Sequence, residues 1–182
     1  MEKRCDWVNL KNERYVRYHD EEWGQPLHDE RALFELFLLE SFQAGLSWEC
    51  VLNKRENFRA AFDGFDVEKI AAYGEEKKAE LMQNKGTIRS RRKIDAAVIN
   101  SRAVLDIRRE FGSFARYVWS FTEGKTVTEP WTERTTSPLS DRVSEDLRRR
   151  GMKFVGSTIV YSFLQAAGVI NGHEDGCFCC EK

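Results

Sequence analysis

The sequence predicts an all-α protein that forms one domain over residues 1–182. Apolar residues recur at three- and four-residue spacing along most of the chain, which is the period of a helix buried on one side. Capping residues such as Asp and Ser precede several of these segments, and glycines follow others, as expected at helix ends. No segment alternates convincingly between apolar and polar residues, so we predict no β-sheet. The 12 Phe and 5 Trp supply enough apolar surface for one compact core.

The first half of the chain predicts four helices, bounded by capping residues or glycines. The earliest of them carries Leu33, Phe34, Phe37 and Leu38 on one face, which we expect to face the core. The four predicted helices run from Asp29 to Gly45, Ser47 to Phe62, Asp66 to Gly74 and Glu75 to Met82.

The second half predicts four more helices and one long loop. The turn "NKGTIR" joins the helix before it to a long helix that opens with Thr87, so residues 75–110 form a helical hairpin. Residues 124–138 are rich in Thr and contain two of the three prolines, which is typical of a loop. The last helix is apolar on nearly all sides and should be central. The later helices start at Ser113, Ser140 (closed by Gly151) and Ser157, and the last one ends near Val169.

An acidic residue interrupts the apolar stretch "LFELFLLESFQAGLSW", in which Glu40 follows a run of Leu and Phe. Burial of an unpaired carboxylate is costly, because the charged form loses its hydration. A sequence that keeps such a residue has either a partner for it or a function for it. Glu40 is therefore a candidate catalytic residue.

Aromatic residues that do not follow a clean core stripe cluster near this acid. Such rings favour a pocket for a flat ligand, because stacking a nucleobase on an aromatic face needs no sequence-specific contact. Aromatic residues near helix starts are, however, more often part of ordinary core and rim packing than of a ligand pocket. The candidate pocket residues are Trp7, Tyr15, Tyr18, Trp23 and Trp48.

The hairpin turn is dense in basic residues, although the net charge of the whole chain is only -1. Exposed cations beside backbone N–H groups can hold a phosphate backbone without reading bases. A solvated charged face is the alternative interpretation. The candidate DNA-binding residues of the turn are Lys85, Gly86, Thr87, Arg89 and Arg92.

Cysteine usage points to metal binding. The chain has 5 Cys, an odd number that argues against a disulfide framework. His173 and Cys177 are separated by three residues, and Cys5 and His19 near the other terminus would complete a closed site with two Cys and two His. The alternative is that the tail thiols are frayed and His19 is a surface or stacking residue.

The distribution of apolar residues along the chain indicates the cellular compartment of the protein. No apolar run approaches the roughly 20 residues needed to cross a bilayer, and the N-terminal residues lack the apolar core of a signal peptide. We therefore expect a cytoplasmic protein that does not contact membranes.

Taken together, the motifs resemble the DNA-3-methyladenine glycosylase I family of bacterial repair enzymes. The matching segments keep the order found in that family and span nearly the whole chain. They are "CDW" with Cys5, "YHDEEWG" from Tyr18, "LESFQAGLSW" from Leu39, "VLNKREN" from Val51, "KFVGSTIVYSFLQAAG" from Lys153, and the terminal His173 and Cys177. Two features of the wider superfamily are absent: a Leu-Pro-Gly-x-Gly hairpin turn, and a recognisable water-activating Asp, since Asp106 falls on an apparent helix surface.

The resemblance implies a helix-hairpin-helix glycosylase fold and a structural zinc ion that joins the two termini through Cys5, His19, His173 and Cys177. It also implies an activity: extrusion of 3-methyladenine from alkylated double-stranded DNA and hydrolysis of its N-glycosidic bond. Glu40, Tyr18 and Trp48 would then contact the base, and Leu46 is a candidate wedge in the gap that the base leaves. No lysine is placed as a nucleophile, so the expected enzyme does not cleave the strand. Activity on 3-methylguanine stays open. The size of the chain is typical of a monomer for a repair enzyme of this kind.

Two other functions remain compatible with the residues. One is a zinc-stapled helical DNA-binding module without catalysis, and the other is a zinc hydrolase, which needs an open position on the metal. A pure binding module has no need for an acid inside an aromatic pocket, and four good ligands argue against an open metal site.

Overall fold

The computed structural model describes residues 3–129 and 134–180. These residues form ten α-helices, a 3₁₀ turn over Asp63–Phe65 and two short strands. The helices are α1 (Glu13–Glu21), α2 (Glu30–Gln43), α3 (Trp48–Leu52), α4 (Arg55–Ala61), α5 (Val67–Ala71), α6 (Glu75–Gln83), α7 (Arg91–Phe111), α8 (Phe114–Ser120), α9 (Pro138–Arg149) and α10 (Ser157–Ala166), and the strands are β1 (Val127–Thr128) and β2 (Ile170–Asn171). The predicted all-helical character is confirmed apart from the strands.

Helix α2 lies at the centre of the core. Every residue from Leu33 to Phe42 is buried, and the helix contacts α3, α7, α8 and α10. The predicted cap is present, because the Asp29 carboxylate accepts a hydrogen bond from the Ala32 amide at 2.8 Å. Helix α10 packs against α2 and α9, and it leaves a polar side with Ser162 and Gln165 only partly buried. The helix that is enclosed on all sides is therefore α2.

The predicted helix from Ser47 to Phe62 is in fact two helices, α3 and α4. The break falls at Asn53, whose backbone carbonyl accepts a hydrogen bond from the Arg14 guanidinium of α1 at 3.2 Å. Its side-chain oxygen also accepts one from Asn12 at 3.1 Å. These partners lie about forty residues away in the sequence, so local periodicity cannot reveal the break.

The long helix of the hairpin begins later than predicted, at Arg91 instead of Thr87. The intervening residues form a tight turn, in which the Asn84 side chain accepts from the Gly86 amide at 2.8 Å and the Asn84 carbonyl accepts from the Thr87 amide at 3.3 Å. Asn is a common turn former because its side chain can bond the backbone two residues on. Because this tight turn competes with helix formation, α7 begins about one helical turn later than predicted.

The strands β1 and β2 form a parallel pair in which Val127 lies opposite Ile170. The prediction of no β-structure is wrong here, because a two-residue strand is too short to show an alternating pattern. Helix α9 starts at Pro138, earlier than the predicted Ser140, since Ser137 and Ser140 form a capping box. Residues 130–133 of the predicted loop lie outside the described residues.

Among the described residues, no helix is both long enough and apolar enough to span a membrane.

Gly168, directly after α10, occupies a position where a side chain has no room. Its φ is +69°, and a Cβ there would lie 2.4 Å from the carbonyl carbon of Gln25. We predict that Gly168→Ala lowers the free energy of unfolding by at least about 3 kcal/mol, because a clash with backbone atoms, which cannot give way as a side chain can, adds to the left-handed strain. Gly124→Ala is the matched control: its φ is +76° but nothing lies within 4 Å of its Cβ position. It should cost only about 1–2 kcal/mol of left-handed strain. Equal costs in urea unfolding would contradict the role assigned to Gly168.

Candidate active site

The five aromatic candidates and Glu40 line one cavity of about 410 Å³. This volume is in the range of small-molecule pockets. Helix α1 and its flanks contribute the N-terminal rings, the end of α2 contributes Glu40, and α3 begins with Trp48. The lining residues are Trp7, Tyr15, Tyr18, Trp23, Glu40, Gln43, Trp48, Thr135, Ser162 and Gln165.

Helix α2 carries two buried carboxylates with opposite surroundings. Glu35 accepts hydrogen bonds from Arg55 at 2.5 Å and from Arg59 at 3.0 Å. Glu40 is only 3% exposed, and its Oε2 has no hydrogen-bond partner among the described residues. Burial raises the pKa of Glu40 to about 8. Glu35 thus forms structural ion pairs with two arginines. Glu40 is a buried acid whose negative charge, if it ionised, would have no cation beside it among the described residues.

The rings enclose this acid from several directions. Tyr18 and Trp48 lie with their centroids 5.3 Å apart, and Trp7 contacts Trp23 at 4.9 Å and Tyr15 at 5.4 Å. The indole Nε1 of Trp48 is buried and, like Glu40 Oε2, lacks a partner in the described part of the chain. Burial and the nearby Glu40 carboxylate raise the pKa of Tyr18, so its phenol stays neutral. The cavity therefore offers neutral ring faces and unsatisfied polar atoms.

The hairpin between α6 and α7 exposes all three of its candidate DNA-binding cations but buries Thr87. Lys85, Arg89 and Arg92 are exposed, and the Arg92 guanidinium lies 6.0 Å from the centre of the Phe154 ring. Arg91 is different, because its guanidinium pairs with Glu75 and with Asp95. Thr87 is buried at 4% exposure. The exposed cations can meet a phosphate backbone, whereas the Thr87 side chain shapes the turn from inside.

The loop between α2 and α3 projects one apolar side chain. Leu46 is 41% exposed and follows Gly45, whose φ is +76°. The Leu46 amide donates to the Gln43 carbonyl at 2.7 Å, which closes a tight turn. Glu40 lies before this loop and Trp48 after it, so the exposed Leu46 is close in sequence to both cavity residues.

Four buried residues from the two ends of the chain converge on one point. Their ligand atoms all lie within 4.8 Å of one another. The distances are 3.4 Å from Cys177 Sγ to His19 Nε2, and 3.6 Å from His173 Nδ1 to each of the two sulfurs. A tetrahedral ion with Zn-like bond lengths places sulfur and nitrogen ligands about 3.6 Å apart. The cluster of Cys5, His19, His173 and Cys177 could therefore hold a metal ion.

A second set of contacts fixes one ligand of this cluster. The Asp20 carboxylate lies 2.8 Å from His19 Nδ1, and Arg4 donates to Asp20 through Nε and Nη2. A carboxylate behind a histidine orients the ring for metal binding through its other nitrogen. The cluster also supports the cavity, because the His173 ring packs against Trp23 at 4.5 Å and the His19 ring against Trp7 at 5.3 Å.

Comparison with known proteins decides the family. Residues 7–180 match the family model of methyladenine glycosylases. The chain belongs to this family. The resemblance predicted from the sequence motifs is thereby confirmed.

Three relatives of this methyladenine glycosylase illustrate the similarity. DNA-3-methyladenine glycosylase 1 of Escherichia coli is 47% identical over 181 residues, which cover 97% of this chain and 96% of the relative. A crystal structure of 3-methyladenine DNA glycosylase I superposes with a TM-score of 0.92 at 49% identity, covering 97% of this chain and 99% of the other. A variant of such an enzyme, crystallised in complex with 3-methyladenine, superposes with a TM-score of 0.91 at 36% identity over 96% of both chains.

Sequence reasoning missed four lining residues, and two signals could have found three of them. Gln43 lies three positions after Glu40 on the same helix, so the two side chains share a face. Ser162 and Gln165 are polar residues, again three apart, in the mainly apolar second half of α10. Thr135 lies in the segment predicted as a loop, where no periodicity exists to place it.

The raised pKa of Glu40 predicts a pH-dependent cost to stability. Below about pH 4.5 the carboxyl is protonated in both the folded and the unfolded chain, so no penalty arises. As pH rises from there to about 8, the unfolded chain ionises while the folded one stays protonated, and folding stability falls by a few kcal/mol.

Glu40→Gln should remove this dependence. We expect the variant to match the wild type near pH 4.5 and to be more stable above pH 8. Urea unfolding of both proteins across this range measures the difference, and Glu145→Gln, an exposed carboxylate on α9, is the control. A difference that is constant with pH would contradict the uncompensated burial of Glu40.

Proposed function

We propose that this chain is a DNA repair glycosylase that extrudes 3-methyladenine from alkylated double-stranded DNA and hydrolyses its N-glycosidic bond. The observation that carries the proposal is the buried, unpaired Glu40 inside an aromatic cavity. Membership of the methyladenine glycosylase family and the 3-methyladenine complex of a related protein support the same substrate.

The chemistry of this substrate suits a site with little acid–base machinery. An adenine methylated at N3 carries a positive charge, so its bond to the sugar is already weakened and the base leaves as a neutral molecule. The enzyme therefore has to find the base, extrude it and hold it. Extrusion costs a few kcal/mol, and less for a damaged base than for an intact pair.

Glu40 would recognise the charge of the base. A neutral adenine brings no cation, so an ionised Glu40 beside it would be buried without compensation. A cationic base supplies the missing partner and favours the carboxylate, which then accepts hydrogen bonds from the exocyclic amino edge. Selectivity thus follows from the same burial that raises the pKa of Glu40 to about 8 in the free protein.

The aromatic residues would hold the plane of the base. Tyr18 and Trp48 offer ring faces, which attract an electron-poor, cationic ring more strongly than a neutral one. Trp7, Tyr15 and Trp23 complete the cavity wall. Gln43, Ser162 and Gln165 add neutral hydrogen-bonding groups at its edge.

The hairpin and the loop after α2 would engage the DNA. Lys85, Arg89 and Arg92 are the exposed cations available for phosphates, with the backbone of Gly86 between them. Leu46 is the candidate wedge, since apolar side chains inserted into a base stack fill the space of an extruded base. Thr87 is left out of the direct contacts because its side chain is buried.

The metal held by the Cys5, His19, His173 and Cys177 cluster is, in this proposal, a structural zinc ion. Two thiolates and two imidazoles form a closed donor set that zinc prefers, and the sulfur–nitrogen distances of 3.4 and 3.6 Å suit a tetrahedron. Bound zinc would supply a cross-link between the N- and C-terminal segments and no chemistry on DNA. The reduced thiols that this requires agree with a cytoplasmic location, and the enzyme is proposed to act as a monomer.

A zinc-stapled DNA-binding module without catalysis is not favoured. The family consists of glycosylases, and a binding module has no use for a buried acid whose Oε2 has no hydrogen-bond partner in the part of the chain that the structure describes. A zinc hydrolase is disfavoured as well, because all four cluster residues are buried and would close the coordination shell.

Release of free base tests the proposed reaction directly. Wild-type protein should release 3-methyladenine from methylated duplex DNA, and Glu40→Gln should lower kcat/KM by about 10²-fold or more, because the neutral amide cannot compensate the cationic base. The same reaction should leave the strand intact and form no borohydride-trapped adduct. Chromatography of released bases and denaturing electrophoresis of the DNA give the two readouts.

The exposed-carboxylate variant Glu145→Gln is the control for this experiment and should retain wild-type release. The proposed function fails if the wild type releases no 3-methyladenine, or if it nicks the strand as it releases the base.

Zinc removal should unfold or loosen the protein before it affects chemistry. We expect about one zinc per chain by elemental analysis, and a fall in Tm on chelation that zinc restores. Cys177→Ser should lose the metal and lower the Tm, because a hydroxyl is a poor zinc ligand. Cys180→Ser, a nearby half-buried thiol outside the four-residue cluster, should keep both. Full metal content in Cys177→Ser would contradict the ligand set.

A further inference from the structure

The end of α2 has an electrostatic feature that its own sequence does not satisfy. The last carbonyls of a helix lack intrahelical partners and carry partial negative charge, so a cation nearby is stabilising. Helix α2 has no basic residue in its last turn. The chain leaves the helix at Ala44, and the exposed tip of Gly45 and Leu46 follows at once.

Lys93 of α7 supplies the missing cation. Its Nζ donates hydrogen bonds to the carbonyl of Phe42 at 2.8 Å and to the carbonyl of Ala44 at 2.6 Å. The carbonyl between them, that of Gln43, accepts from the Leu46 amide at 2.7 Å. Three successive carbonyls before the tip thus each have a donor, and two of those bonds come from one ammonium group.

The environment of Lys93 differs from that of its basic neighbours. Its side chain is partly buried, and two of its three N–H donors are directed at protein carbonyls. Lys85, Arg89 and Arg92 are exposed instead. Lys93 lies in the basic hairpin segment of the sequence, which suggests a phosphate contact. Its ammonium group is instead hydrogen-bonded to protein carbonyls and is poorly placed to reach a phosphate.

We propose that Lys93 is a positioning residue that couples the DNA-gripping hairpin to the loop that carries Leu46. This inference rests on the proposed glycosylase function. Lys93 lies four residues after Arg89 and in the first turn of α7, directly behind the hairpin turn. Its two bonds to the end of α2 hold the Leu46 tip at a set distance from the phosphate-binding cations.

Such a coupling gives phosphate contacts a use beyond affinity. Binding energy gained away from the reacting atoms can offset the cost of distortion at the reacting centre. If the hairpin and the tip move as one body, binding of the hairpin to the phosphate backbone of the DNA pushes Leu46 into the base stack. A free loop would instead yield to the stacked bases, and the same phosphate contacts would then assist extrusion less.

Two single variants separate positioning from phosphate contact. Arg92→Met removes an exposed cation, so the slope of log affinity against log salt on undamaged duplex should fall in magnitude by about one. Lys93→Met should leave that slope at the wild-type value. It should instead lower the single-turnover release of 3-methyladenine at saturating DNA by about 10- to 100-fold, because a loosened loop misplaces the wedge and the pocket edge. Lys69→Met, an exposed lysine on α5, controls for loss of charge and should change neither.

Two further readouts follow the loop itself. Hydrogen exchange at residues 44–47 of the DNA-free protein should quicken in Lys93→Met and stay unchanged in Arg92→Met. The effects of Lys93→Met and Leu46→Ala on single-turnover release should also be less than additive, because both act through the same tip. A phosphate contact at Lys93 predicts additive effects.

A reduced salt slope with unchanged exchange in Lys93→Met would overturn the proposal. If Lys93→Met does not fold, Lys93→Arg decides: a phosphate role predicts full activity, whereas a positioning role predicts a loss, since the planar guanidinium does not fit the place of an ammonium. The exchange and salt measurements need no catalysis. Failure of this inference is therefore distinguishable from failure of the proposed function, which wild-type base release tests.

Discussion

Burial of α2 on every side means that each of its two buried carboxylates, Glu35 and Glu40, must either find a partner or stay uncharged. Glu35 is compensated by Arg55 and Arg59 of α4 and serves packing. Glu40, five residues later, has no cationic partner among residues 3–129 and 134–180, so burial raises its pKa and favours the neutral acid at the edge of a cavity. One helix thus holds a structural ion pair and an unpaired acid, and only the second is available to a ligand.

The supports of the cavity come from distant parts of the chain. The Cys and His cluster draws the first and last segments together, and two of its imidazole rings lie directly against Trp23 and Trp7. A change that separates the two terminal segments therefore also removes the imidazole rings that pack behind Trp23 and Trp7. The stability of the fold and the shape of the pocket depend on the same contacts. A metal ion bound at this cluster, as proposed above, would affect activity through the pocket wall and not through chemistry on DNA.

The basic residues of the hairpin between α6 and α7, like the two carboxylates of α2, differ in their partners. Arg91, Arg92 and Lys93 are consecutive. Arg91 pairs with Glu75 and Asp95, Lys93 donates to carbonyls at the end of α2, and Arg92 is exposed. The basic character of a hairpin consequently overstates the number of charges that can meet phosphate. What a cation does depends on which acceptors the fold places within its reach.

The sequence alone determined the helical class, the caps of α2 and α3, and the candidate acid, rings and metal ligands, because these depend on local periodicity and on residue chemistry. It misjudged the break at Asn53, the start of α7 and the two-residue strands, since each is set by partners remote in the chain or by a turn that competes with the helix. Only the tertiary structure showed that Glu35 is paired and Glu40 is not. It also showed that Arg91 and Lys93 are held by protein acceptors, whereas Arg92 is exposed. The physical reason is that burial and pairing, which decide whether a charge is structural or free to act, are properties of contacts between distant segments.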